Sequence, residues 1–306
     1  ILKDSSAYNV QWQGARPVFI DIPSFEVLSP GEPWVGYRQF CQLFLYPLFL
    51  QAYKNVEFHP WLRGSIDGID PIQINNLMSL RDRLRPGILT NVYLQAKLQT
   101  KFGGLNKDVK TDLKKAGFSK QLILSNCRRM EKLVRGLQWK ARESQWSAYT
   151  DTHSYTDADQ DRKAEFVGEV AASGNWQRVW DIGCNTGQFS KIAARHADSV
   201  LAMDLEHFAV ERLYRETREI HGKNILPLVQ NIADPSPNWG WRNKERTDLK
   251  TRARPDLVLC LALVHHVVIT ANVPMEEFVS WLADLSDQLV IEYVSRSDDK
   301  VKALLR

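Results

Sequence analysis

The stretch Arg178-Val179-Trp180-Asp181-Ile182-Gly183-Cys184-Asn185-Thr186-Gly187-Gln188-Phe189-Ser190 decides the fold. A short apolar strand ends in an acid, passes through a glycine loop and opens a helix predicted to run from Lys191 to His196. Glycine lets a backbone approach a ligand where any side chain would collide. Asn185, between the two glycines, also tolerates positive φ. A second apolar run, Ser199 to Met203, ends at Asp204. An acid in that place accepts the hydroxyls of a ribose. The plain alternative is a strand-to-helix turn that holds no ligand.

Outward from this loop, strands and helices alternate, the pattern of a parallel α/β sheet. Ile225 to Gln230 reads as a third strand, Asp256 to Leu263 as a fourth and Gln288 to Val294 as a fifth. Met275–Leu285 is the helix before the fifth. Upstream the pattern differs. Val10 to Trp12, Gln13-Gly14 and Val18 to Ile20 read as a hairpin. Residues 34–54 form a helical stretch that Pro47 should kink or split. Residues 72–100 read as helical with a break at Pro86-Gly87. Residues 107–143 form a basic, helical connector (Lys114, Lys115, Lys120, Arg128, Arg129, Lys132, Arg135, Lys140, Arg142). A mainly helical domain over 1–144 and an α/β domain over 145–306 follow.

Charge divides the chain the same way. Residues 1–150 carry 21 Lys and Arg against 12 Asp and Glu; residues 151–306 carry 19 against 24. The net charge of +4 and the 44% hydrophobic content fit neither a disordered nor a fibrous chain. Cys41, Cys127, Cys184 and Cys260 are far apart and form no C-x-x-C pair, which favours a reducing cytoplasm over a disulfide framework. No uncharged apolar run is long enough to span a membrane. No residue pattern calls for a metal.

Asp181, Gly183 and Gly187, with Asp204 at the next strand end, resemble motif I of the class I S-adenosylmethionine (SAM) methyltransferases, D/E-x-G-x-G-x-G. Asn185 replaces the middle glycine. The resemblance covers roughly 176–295 and implies a Rossmann-like sheet and SAM as cofactor. It also implies that Asn231 and Ile232 meet the adenine, with Asp234 a competing candidate. The strand end at Leu261 would meet the methionine part through backbone carbonyls. An aromatic upstream of the domain, Tyr155 or its neighbours Trp146 and Tyr149, would fold over the cofactor. The Asn-Pro-Pro-Tyr of many DNA amino methyltransferases is absent, as is a cysteine placed for pyrimidine C5 chemistry. Val264-His265-His266-Val267 instead resembles small-molecule and tRNA-modifying branches, with His265 as general base. Its alternative role is packing beneath the cofactor, the favoured reading for His266. The insertion from Asp234 to Arg242 is too long and aromatic for a connector. Trp239, Trp241 and Arg242 are its substrate-side candidates, with simple packing of the loop as the alternative.

Asp4, Asn9 and Asp21, flanking the hairpin, resemble the base and metal-holding positions of protein-kinase-like phosphotransferases. No His-Arg precedes Asp4, and Asp21-Ile22-Pro23 replaces Asp-Phe-Gly. No amino lobe is present, so no kinase activity is expected. Together with Gly31 to Cys41, the arrangement resembles a bacterial group carrying nodulation-type methyltransferases.

The reading is a SAM-dependent methyltransferase with an unidentified acceptor, a small molecule or saccharide before tRNA. Its rivals are a scaffold with an inert SAM fold whose basic half binds an anionic partner, and a phosphotransferase. The basic segment is expected to be a solvated helical face, with nucleic acid the less favoured partner. Ile1 lacks an initiator Met, as in a piece of a longer protein. Sheets of the resembled family have seven strands, and only five are counted by Val294. The chain is therefore expected to continue beyond Arg306, or the fifth strand to be covered by another part of it.

Overall fold

The computed structural model describes residues 1–102, 119–139, 157–219 and 224–305. The chain divides into two compact units, residues 1–11 with 19–141 and residues 12–18 with 142–306.

The hairpin pairs β1 (Val10–Gln13) with β2 (Arg16–Phe19). Gly14 supplies the positive φ (56°) of its turn. Beyond this hairpin, whose residues 12–18 belong to the second unit, the first unit is mainly helical. Helix α1 (Tyr37–Phe40) runs through one π-helical turn (Cys41–Leu45) into α2 (Tyr46–Lys54). The expected disruption at Pro47 is therefore a change of register rather than a break. The N–H of Tyr46 donates to the carbonyl of Cys41, five residues back, and this wider turn accommodates the proline ring. Helices α3 (His59–Gly64) and α4 (Pro71–Leu77) follow, the latter opened by a capping box of Asp70 and Gln73. Past the Pro86-Gly87 break, a second π turn (Leu89–Tyr93) leads into α5 (Leu94–Phe102).

Cys41, Leu45, Tyr46, Phe49, Ile74, Ile88 and Val92 make the core of this unit. Tyr37 and Tyr46 donate their hydroxyls to the side chain and carbonyl of Asn91, at 2.6 and 2.7 Å. Helix α6 (Lys120–Arg135), capped by Ser119, turns Met130 inward. It leaves Arg128, Arg129, Lys132 and Arg135 exposed. Residues 107–118 and 140–143 of the basic segment lie outside the described residues.

Asp82 carries the first unit's buried charge. Its carboxylate accepts from Lys54 Nζ (2.9 Å) and from the backbone N–H and hydroxyl of Ser79 (both 2.8 Å). Arg85 stands 3.1 Å away. Burial raises the carboxyl's pKa, but Lys54 and Ser79 outweigh it and hold the group at about 2. Since the folded pKa is depressed, the contribution to stability is complete above the unfolded value near 4. It is lost as pH falls through about 2. Asp82→Ala is expected to lower the unfolding free energy by about 3 kcal/mol at pH 7, because it removes a buried carboxylate that Lys54, itself only partly buried, and Ser79 bond. Urea denaturation should show that gap closing towards pH 2; a gap independent of pH refutes the assignment.

The second unit is a five-stranded, all-parallel sheet in the order β5-β4-β3-β6-β7. The strands are β3 (Trp176–Ile182), β4 (Ala197–Asp204), β5 (Ile225–Val229), β6 (Leu257–Cys260) and β7 (Leu289–Ile291). Alternate residues face opposite layers. Val179, Val200, Ala202, Leu257 and Leu259 meet α7 (Asp157–Ala172), α8 (Gln188–Ala193) and α9 (His207–Glu219). Trp180, Ile182, Met203, Val258 and Cys260 meet α10 (Leu249–Arg252) and α11 (Met275–Leu285). Both faces are covered, which explains the near-continuous apolar runs.

The fourth and fifth strands are shorter than expected. Ala262 turns left-handed (φ 51°) and ends the β6 ladder. Beyond Ile291 the ladder keeps one bond, from Glu292 N–H to the Cys260 carbonyl at 3.0 Å. Helix α8 begins at Gln188, earlier than expected, because Gly187 is already its N-cap. Among the described residues β7 pairs with β6 alone. Helix α12 (Asp299–Leu304) closes the described chain. No helix of the described residues is long and apolar enough to cross a membrane.

Candidate functional site

The site gathers at the carboxyl ends of the strands, where an open α/β sheet binds ligands. Gly183, Asn185 and Gly187 all have positive φ (80°, 47° and 78°). Asn185 thus takes the conformation its side chain tolerates. The loop is tied to β4 by bonds from the Gly183 and Cys184 N–H groups to the Met203 carbonyl, at 2.8 and 3.0 Å. The N–H of Gly187 closes back onto the Cys184 carbonyl at 2.8 Å. A Cβ on Gly187 would fall 2.4 Å from Leu213 Cδ1.

Asp204 ends β4 facing this loop. One carboxylate oxygen accepts from Asn185 N–H and the other from Glu206 N–H, each at 2.8 Å. Burial raises the carboxyl's pKa, and those two bonds oppose the rise without cancelling it. Each oxygen retains a lone pair for a ligand hydroxyl. Glycine loop and pinned acid therefore fit the nucleoside end of SAM. Asp181, 2% exposed, accepts from Ser190 Oγ. Burial raises its carboxyl to about 6, Ser190 opposes the shift, and the Asp204 charge adds to it.

The remaining candidates are placed unevenly. Asn231 follows β5 and folds its side-chain oxygen onto Ala233 N–H at 3.0 Å. Ile232 packs into the α11-side core. Leu261 is buried just past β6. His265 is 7% exposed at the head of a π-helical turn (His266–Thr270), its ring centroid 4.1 Å from that of His266. Trp239 pairs with Arg246 through two backbone bonds (2.8 and 3.0 Å), which makes the insertion a closed arm. Trp239 is half-buried, while Trp241 at the tip is 76% exposed. Arg242 beside it is left-handed (φ 57°). Tyr155, Trp146 and Tyr149 lie outside the described residues.

Sequence reading missed a pair beside the loop. Lys163 of α7 and Glu292, just past β7, form an ion pair. They stand 129 positions apart and belong to no local motif, so nothing in the sequence signalled their meeting. At the amino end of the chain, Asn9 donates to Ser24 Oγ (3.3 Å) and Ser24 donates to Asp21. Asp4 accepts from Ser6 N–H (3.0 Å), within its own loop.

The all-parallel sheet, the left-handed glycine loop and the acid ending the next strand make a Rossmann-like α/β fold. The chain is similar to the nodulation protein NoeA of Rhizobium meliloti (strain 1021), 32% identical over 306 residues. That alignment covers 99% of this chain, and the chain spans 64% of the relative's length. No family model matches. Among solved structures it has remote likenesses to monomeric WbdD (17% identity, 51% of this chain and 36% of that one, TM-score 0.38). Another is the N-methyltransferase NodS of Bradyrhizobium japonicum WM9 with S-adenosyl-L-homocysteine (14%, 48% and 63%, TM-score 0.34).

Proposed function

We propose that the chain is a SAM-dependent methyltransferase whose catalytic domain spans 145–306, preceded by a mainly helical domain over 1–144. The observation that carries this reading is Asp204, pinned by two backbone N–H groups against the glycine loop. SAM supplies a methyl group on a positively charged sulfur, so the protein's task is positioning rather than activation. In this reading Asp204 orients the ribose hydroxyls. Asn231 and Ile232 border the adenine, Asp181 and the loop from Gly183 to Gly187 hold the centre of the cofactor, and Tyr155 covers it. His265 takes the acceptor's proton. The arm bearing Trp239, Trp241 and Arg242 walls the acceptor side. A saccharide or other small molecule suits an exposed tryptophan better than a duplex nucleic acid does.

Calorimetry with S-adenosylhomocysteine is expected to give micromolar binding, about −8 kcal/mol. Asp204→Ala should weaken that by about 1–3 kcal/mol, the scale of lost hydrogen bonds to a charged group. Absence of heat and of a thermal shift at saturating ligand would sink the reading. Unchanged affinity in the variant would mean that another acid holds the ribose.

A further inference from the structure

The tip of the hairpin belongs with the α/β unit, since residues 12–18 group with 142–306. Trp12 of β1 meets Tyr214 of α9 edge to face, ring centroids 6.1 Å apart and planes at 83°. The turn itself is covered: Ala15, after Gly14, is 5% exposed, where the tip of a free hairpin stands in water. Gln11, Gln13 and Arg16 beside Trp12 are exposed, so the indole fills no core of the hairpin's own. A two-stranded hairpin is marginal alone, and this one gains support where Trp12 meets α9.

Helix α9 joins the two parts of the cofactor site. Glu206 N–H, just before its first residue, donates to Asp204 at 2.8 Å. Farther along, the fully buried Leu213 lies against Gly187, so close that a Cβ there would fall 2.4 Å from its Cδ1. Glu216 pairs with Lys191 of α8, the helix that Gly187 caps. Leu213 and Tyr214 are neighbours, and Thr217 Oγ1 donates to both their carbonyls (2.8 and 3.0 Å), which ties them into one turn. Arg212, Arg215 and Arg218 of α9 are exposed, and Tyr214 is the aromatic this helix turns to Trp12. Close-packed elements transmit displacement, so a shift of α9 moves the glycine loop and the acid together. We propose that Trp12 is a positioning residue of the cofactor site. Its contact with Tyr214 holds α9, and with it Gly187 and Asp204, in the binding geometry. The proposal rests on the methyltransferase reading and assigns a role to a residue that lies in none of the motifs carrying that reading.

By calorimetry Trp12→Ala is expected to bind S-adenosylhomocysteine about two- to tenfold more weakly than wild type, the range an aromatic pair supplies. Trp12→Phe, which keeps a ring against Tyr214, should bind like wild type. Tyr214→Leu should lose as much as Trp12→Ala, and the double variant no more than either, because both break one contact. Thermal melts establish that each variant is folded. If Trp12→Ala fails to fold, Tyr214→Leu carries the test with the same expected loss. A hairpin that merely props the fold gives a different result, a lower melting temperature with unchanged affinity. That result, or losses that add in the double variant, overturns the proposal and leaves the methyltransferase reading standing. A wild type that binds no S-adenosylhomocysteine overturns both.

Discussion

Gly187→Ala is expected to lower the stability of the α/β unit by about 2–5 kcal/mol and to abolish measurable S-adenosylhomocysteine binding. Two costs add. An L-residue at φ 78° costs about 1–2 kcal/mol. The new methyl would also lie 2.4 Å from Leu213 Cδ1 and 2.6 Å from Cδ2. Leu213 is fully buried and cannot swing aside, so this overpacking costs about 1–3 kcal/mol more. Relief of the clash has to come from the loop, and the loop holds Asn185 against Asp204. Gly183→Ala is the internal comparison. Its φ of 80° imposes the same strain, but its nearest neighbour, Leu263, is 3.2 Å away. Urea denaturation of both variants should show Gly187 as the costlier position. Equal losses would show that strain alone, without crowding, governs the loop.

Asp181→Asn is expected to make the protein more stable and a poorer binder. Burial lifts the folded carboxyl to about 6 from an unfolded value of 3.8, with Ser190 opposing and Asp204 adding. The folded state therefore keeps a proton that the unfolded state has already released. Stability falls as pH rises from about 4 to about 6, and the penalty persists above that range. The shift corresponds to about 3 kcal/mol at neutral pH. Asparagine removes the buried charge, and its side-chain oxygen can still accept from Ser190 Oγ. At pH 7 the variant should be more stable than wild type by up to about 3 kcal/mol, while near pH 4 the two should match. S-Adenosylhomocysteine should bind it more weakly, a trade of stability for function. A variant no more stable than wild type at pH 7, or one whose advantage is the same at pH 4, refutes the account.

The sequence by itself determined the class of fold and the loop. Short apolar strands separated by helices admit a parallel sheet, because crossover connections bury both faces. Gly183, Asn185 and Gly187 were legible because positive φ restricts residue choice locally, whatever surrounds the chain. Asp204 was legible because it ends the next strand. Pro47 marked an irregularity, but only the packed helix decided that a π turn, and not a break, would absorb it. Strand ends followed the same rule: the left-handed Ala262 and the single bond at Glu292 depend on neighbouring strands rather than on the segments themselves. Tertiary structure alone brought Lys163 to Glu292, buried His265, and closed the arm behind Trp241. Periodicity and backbone preference act over a few residues and leave a local trace. Contacts between residues more than a hundred positions apart leave none, because they exist only once the sheet has set the order of its strands.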